Sequence, residues 1–268
     1  MAEEKNMSFL EHLEELRKRL FRAVLAAVVG VCIVVAFDDE IIHDVIMAPR
    51  RIDFPTYQFF CWFGHQTGLQ EQLCFSEPQF SLQSTTMGGN FSAYMTVVIV
   101  GGIILAFPAI FYQLWSFIRP GLRKSELKAV RGIGFFVSLL FFLGVLFGYY
   151  VLAPLSIQFL GNFTFDDVEI NATVVSYLKL CTSLVLGTGL VFQMPILIFF
   201  LAKIGLITSS FLKKYRRHAF VVNLIVSAII TPPDVTSQLL VSMPLLLLYE
   251  ISILVAKRVE RKKAAKQS

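Results

Sequence analysis

Long apolar runs alternate along the chain with short charged blocks, and six of the runs are read as membrane-spanning helices: 20–37, 91–113, 132–155, 178–201, 219–230 and 239–256. Crossing a hydrocarbon core of about 30 Å takes roughly 20 residues at about 1.5 Å each. The first four runs meet or approach that length. The fifth has only about a dozen residues and reaches about 18 Å. Either its flanks continue the helix, or the bilayer thins around two short final spans; both readings stand. The stretch 8–19 has a different pattern. Phe9, Leu13, Leu16 and Leu20 repeat at helical spacing, while Glu11 and Glu15 fall together on the opposite face. Ser8 followed by Glu11 is a capping box, so a helix should begin here. Glu14 with Lys18, and Glu15 with Arg19, are spaced for i,i+4 ion pairs of about 0.2–0.5 kcal/mol. Arg17 lands on the edge of the apolar stripe, where a merely solvating charge is out of place. The pattern predicts an amphipathic helix at the membrane surface.

Composition supports a membrane protein. Of 268 residues, 56% are hydrophobic and only 16% charged, with 26 Phe. The first apolar run ends in Asp38-Asp39-Glu40 and lacks a small-residue cleavage pattern, so it is kept as a span rather than a signal peptide. No Walker A sequence, dinucleotide fingerprint, HExxH or Cys/His cluster at metal spacing occurs. These absences argue against a self-contained ATPase or metalloenzyme, and the expectation is a protein that is not an enzyme, holds no cofactor and binds no nucleic acid.

Charge sets the orientation. Twenty-one of the 24 Lys and Arg residues fall in the N-terminal segment, the second-to-third and fourth-to-fifth connections, and the tail 257–268; only Arg50, Arg51 and Lys179 lie elsewhere. Both termini are therefore expected in the cytoplasm. The same basic rim suits anionic lipid, at about 1 kcal/mol per base near the surface. On the opposite side the long first loop is acidic. It also carries Cys61 and Cys74, which either close a small loop as a disulfide, worth about 3 kcal/mol, or stand as two free thiols.

Against that basic rim a carboxylate stands out. Glu126 lies alone among Arg119, Arg123, Lys124, Lys128 and Arg131. It either pairs with these neighbours or joins the Glu11/Glu15 face as an acidic notch. Two carboxylates at a membrane surface suit a pair of guanidinium groups, whose planar forks bind bidentately at about 1.5–3 kcal/mol per charge-assisted bond. Within the spans the polar residues are few: Gln193 beside Pro195, Thr231 and Gln238 at the ends of the short pair, and Glu250, which can reach the surface. Gln193 is placed to bond another helix. Pro108, Pro195 and Pro244 should kink their spans.

The segments FLEHLEELRKRL, FPAIFYQLWSFIRPGLRKSE (107–126), FQMP (192–195) and TPPDVTSQ (231–238) together resemble the TatC family, the multi-span core of the twin-arginine protein translocase. The resemblance runs from about residue 8 to 257. It implies an all-α fold of six transmembrane helices in a curved, glove-like wall. It also implies recognition of twin-arginine signal peptides on folded substrates, and export driven by the proton motive force. By motif position Glu15 and Glu126 resemble the twin-arginine contacts, and Arg17 and Phe117 fall at other positions tied to signal recognition. Pro49 and Asp234 match positions linked to the outer loops and to complex function. Thr231 and Gln238 resemble the polar patch that meets a TatA-type single-span partner. A TatB-type partner, homo- and hetero-oligomers and a bacterial inner (cytoplasmic) membrane location belong to the same expectation. Two departures are visible. Gln193 stands where many relatives have glutamate, which removes any protonation role there, and the first outer loop is longer than is common.

Two other functions are weighed against this one. A small-solute secondary transporter needs a charged midplane site and usually repeats, and the sequence shows neither. A passive membrane anchor predicts indifference to Glu15 and Glu126.

Overall fold

The computed structural model describes residues 9–68, 74–75, 80–119, 132–162, 171–231 and 235–264. Among them, five helices are long and apolar enough to cross a membrane. Two compact units emerge, 1–36 with 98–139, and 37–97 with 140–268.

In the first unit, α1 runs unbroken from Phe9 to Ala36. The surface helix expected at 8–19 and the span expected at 20–37 are thus one element, because no Gly or Pro falls between Ser8 and Val29 to break it. The Leu13, Leu16 and Leu20 stripe stays exposed and faces away from the unit's own core. Further along, α1 packs on the helix α3 (Gly89–Ile118) through small residues. A Cβ on Gly102 would lie 2.6 Å from the Val31 nitrogen, and one on Gly30 would strike the Gly102 carbonyl oxygen. Glycine at both positions lets the two backbones touch, the close approach by which helices associate where no water drives them together. Ala23, Val34 and Ala106 are buried in this unit.

The second unit begins with the first loop. A π-helical stretch, Ile41–Ile46, leads through a turn containing buried Pro49 to α2, Pro55–Thr67, which starts on proline and stops at Gly68 in the left-handed region. None of these loop helices was expected from the sequence. They are held by the third span, which is α4 (Ile133–Phe147), a π turn (Gly148–Leu152) and α5 (Ala153–Asn162). Thr56 Oγ1 donates to the Tyr150 carbonyl. The Tyr57 hydroxyl is shared between the Pro49 and Pro154 carbonyls at 2.8 and 2.9 Å. Tyr149 and Tyr177 donate to Val45 and Ile46 at 2.7 and 2.9 Å. A two-stranded parallel sheet, β1 (Ser81–Gln83) with β2 (Asn171–Thr173), pairs Leu82 with Ala172.

The fourth run, expected over 178–201, is two helices, α6 (Val174–Val191) and α7 (Met194–Ile204), broken at Phe192–Gln193 where Pro195 removes a backbone donor. Pro108 and Pro244, by contrast, lie inside unbroken helices. Buried Thr188 bonds the Leu184 carbonyl at 2.7 Å and the Gly144 carbonyl at 3.0 Å, which ties α6 to α4. A six-residue helix, α8 (Ser209–Lys214), precedes α9, Arg216–Ile230, which adds only three residues to the expected fifth run. At about 22 Å it remains shorter than a hydrocarbon core. The last apolar run, 239–256, sits inside the 30-residue α10 (Val235–Ala264), because the basic residues expected as a tail from 257 continue the helix. Only its apolar part is short. Ile198, Ala202, Tyr249, Ile253 and Ala256 form the core between α7 and α10.

Candidate functional site

The proposed acidic face begins on α1. Lys18 pairs with Glu14 at 2.7 Å, and Arg19 Nη2 with Glu15 Oε1 at 3.2 Å. Glu15 is part-buried, whereas Arg17 projects into the open. Glu15 holds its cation by one part-buried i,i+4 contact, a bond weak enough to exchange for a better one. Phe117 lies part-buried near the end of α3, followed by the exposed Arg119. Glu126 and the side chain of Glu11 fall outside what is described, so of the expected notch only Glu15 is placed.

A second set lies along the later helices. Gln193 sits at the α6–α7 break, where its Nε2 donates to the Gly189 carbonyl at 3.3 Å. Its Oε1 is buried with no hydrogen-bond donor among the described residues. Thr231 is buried and bonds the Ser227 carbonyl at 2.8 Å, and Gln238 Nε2 donates to the Leu224 carbonyl at 3.1 Å. Both side chains therefore satisfy backbone carbonyls of α9. Asp234 lies outside the described residues. Pro49 is buried, and its carbonyl accepts from Tyr57, whose phenol burial pushes well above its usual range.

Cys61 and Cys74 are joined in a disulfide with Cα atoms 4.2 Å apart. His65, one turn beyond Cys61, brings three potential ligand atoms within 4.8 Å, a cluster the linear spacing did not reveal. With both sulfurs bonded to each other neither is a thiolate, so the oxidised form offers no metal centre. Other contacts missed by the sequence reading belong to the helix ends. Arg216 meets Glu250, and Glu260 accepts from the Ser209 amide at 2.6 Å, which caps α8 from α10. Glu15–Arg19 was visible because its partners are four residues apart. Arg216 and Glu250 are separated by 34, and no local pattern links them.

A family model described as "Sec-independent protein translocase protein (TatC)" matches residues 11–244. The "Sec-independent protein translocase protein TatC" of Blattabacterium sp. subsp. Periplaneta americana (strain BPLAN) is 40% identical over 268 residues, covering 98% of this chain and 100% of that one. The namesake from Helicobacter pylori (strain J99 / ATCC 700824) is 48% identical over 157 residues, 59% of this chain and 63% of its own. A solved structure described as "Crystal Structure of Twin Arginine Translocase Receptor- TatC" superposes with a TM-score of 0.71 at 30% identity, covering 93% of this chain and 100% of that one.

Proposed function

Because the chain belongs to the TatC family of Sec-independent protein translocase proteins, we propose that it is the core subunit of a twin-arginine translocase and receives paired-arginine signal peptides at Glu15 and Glu126. The observation that carries this reading is the match over nearly the whole length to a solved twin-arginine translocase receptor. Glu15 adds local support: it is part-buried on a membrane helix, and its ion pair with Arg19 is a single i,i+4 contact that can exchange. In this reading Glu11 enlarges the acidic face, and Arg17 and Phe117 border the bound peptide.

Both termini lie in the cytoplasm and the spans cross a bacterial inner membrane, in keeping with the segregation of Lys and Arg. TatA- and TatB-type single-span partners associate with further copies of this chain. Gln193 supports such a contact, because its buried oxygen has no donor among the described residues and can take one from a neighbouring helix. Thr231 and Gln238 lie where a TatA-type partner would meet the last two helices, and Pro49 and Asp234 serve the outer loops and complex function. The proton motive force drives export, and this subunit performs no bond chemistry.

Site-specific photocrosslinking from positions beside Glu15 and Glu126 tests the assignment. A twin-arginine precursor should crosslink and its double-lysine variant should not. Glu15→Ala and Glu126→Ala should each abolish the adduct while the helices still insert. Undiminished crosslinking in both variants removes the site.

A further inference from the structure

The helix α2 carries no Asp, Glu, Lys or Arg, and its two faces differ. Tyr57 and Gly64 are buried, and Phe60 and Cys61 are part-buried on the same side. Phe75 packs there, with ring centroids 5.7 Å from Tyr57 and 5.9 Å from Phe60, and the disulfide to Cys74 holds it in place. The opposite stripe is Phe59, Trp62 and Phe63, spaced i, i+3, i+4 and 60%, 58% and 44% exposed. Three large aromatic side chains this open are costly in water. They have no charged neighbours on α2 that would mark a specific protein partner.

The depth of the helix says what covers them. The start of α2 is fixed to the third span at Tyr150 and Pro154 through Thr56 and Tyr57, and the Phe54 ring stacks 5.6 Å from Tyr150. Pro154 falls one residue before the far end of the apolar run 132–155, and Tyr150 lies one turn earlier. The fixed end of α2 therefore lies at the boundary between acyl chains and headgroups. That layer favours Trp and Phe. Arg51 is neutralised nearby by a two-point contact to Asp53 at 2.9 and 3.2 Å, so little charge opposes entry.

We propose that the Phe59–Trp62–Phe63 face of α2 is a lipid-binding surface that lies in the headgroup layer and moors the first loop to the bilayer. Trp62 reports on this directly, since the chain has only one other tryptophan, Trp115. Full-length Trp115→Phe protein is reconstituted into phosphatidylethanolamine/phosphatidylglycerol vesicles containing lipids brominated either near the glycerol backbone or near the chain ends. The expected result is blue-shifted emission, quenched several-fold more by the shallow bromines than by the deep ones. Adding Phe59→Ser and Phe63→Ser should weaken that quenching several-fold, while peptide mapping still finds Cys61 joined to Cys74. Water-like emission with no lipid quenching overturns the proposal. So does blue-shifted emission that no brominated lipid quenches, which would mean that a second copy or another protein covers the face. Stronger quenching by the deep bromines also overturns it.

Discussion

Arg216, the first residue of α9, meets Glu250 in the middle of α10 at 2.6 Å between Nη2 and Oε2. Both side chains are about half exposed, so solvent and salt screen the pair even though the bond is short. Glu250→Gln should lower resistance to thermal unfolding in detergent by no more than about 1 kcal/mol. The swap Arg216→Glu with Glu250→Arg should recover most of the loss, and the benefit should fade at high salt. A swap that is worse than either single change would show that the pair does not join these helices.

The contact of Gly30 with Gly102 leaves no room for a methyl group. Gly102→Ala should force α1 and α3 apart and cost about 1–3 kcal/mol, as overpacking commonly does. Gly134→Ala is the control, because a Cβ there meets nothing within 4 Å. It should be neutral or stabilising, since alanine favours helix. Thermal melts of the two variants in one detergent check the contrast.

Gln193 keeps a buried oxygen without a donor among the described residues. Gln193→Leu removes that group together with one 3.3 Å bond, so the purified subunit should lose less than about 1 kcal/mol. Co-purification of a single-span partner should fall several-fold in the same variant. Loss of stability with intact partner recovery would assign Gln193 to the chain's own packing.

Arg19 competes for the carboxylate proposed to receive a signal peptide. Freeing Glu15 by Arg19→Gln returns the roughly 0.3–0.5 kcal/mol of an i,i+4 pair, so binding of a twin-arginine peptide should tighten about twofold. Titration of a fluorescent peptide against both proteins reads this out. Weaker binding would make Arg19 a part of the receptor instead.

The disulfide encloses a short loop, with its cysteines 13 residues apart. Cys61→Ser with Cys74→Ser should cost about 3 kcal/mol of local stability in the chain-entropy account. Limited proteolysis should then cut between Gly68 and Phe80 several-fold faster than in the oxidised protein. Equal rates would mean that aromatic packing alone secures the segment.

The sequence exposes what is local and periodic. Apolar runs of near-spanning length, the i,i+4 pairs of α1 and the break at Pro195 all arise from neighbours within a turn or two. It hides what distant partners impose. The strands Ser81–Gln83 and Asn171–Thr173 are three residues each and exist because they meet one another. The π turn at Gly148–Leu152 sits where Gly148 presses on Thr188 and the Leu184 carbonyl, a fit set by the facing helix. The aromatic-rich segment that forms α2 has no alternation to betray it. Of the candidate site, Glu15 was readable from its helix face, whereas its relation to Glu126 depends on residues outside those described.

The tyrosine hydroxyls that fasten the first loop set a clock on synthesis. Tyr177 lies 131 residues after the Ile46 carbonyl it binds, and Tyr149 lies 104 after Val45. A ribosome adding about 5–20 residues per second needs roughly 7–26 s to supply the later of these partners. Until the fourth span arrives only the third span's contacts, such as that of Tyr149, can hold the loop. A loop made early in synthesis is thus among the last segments to reach its final form.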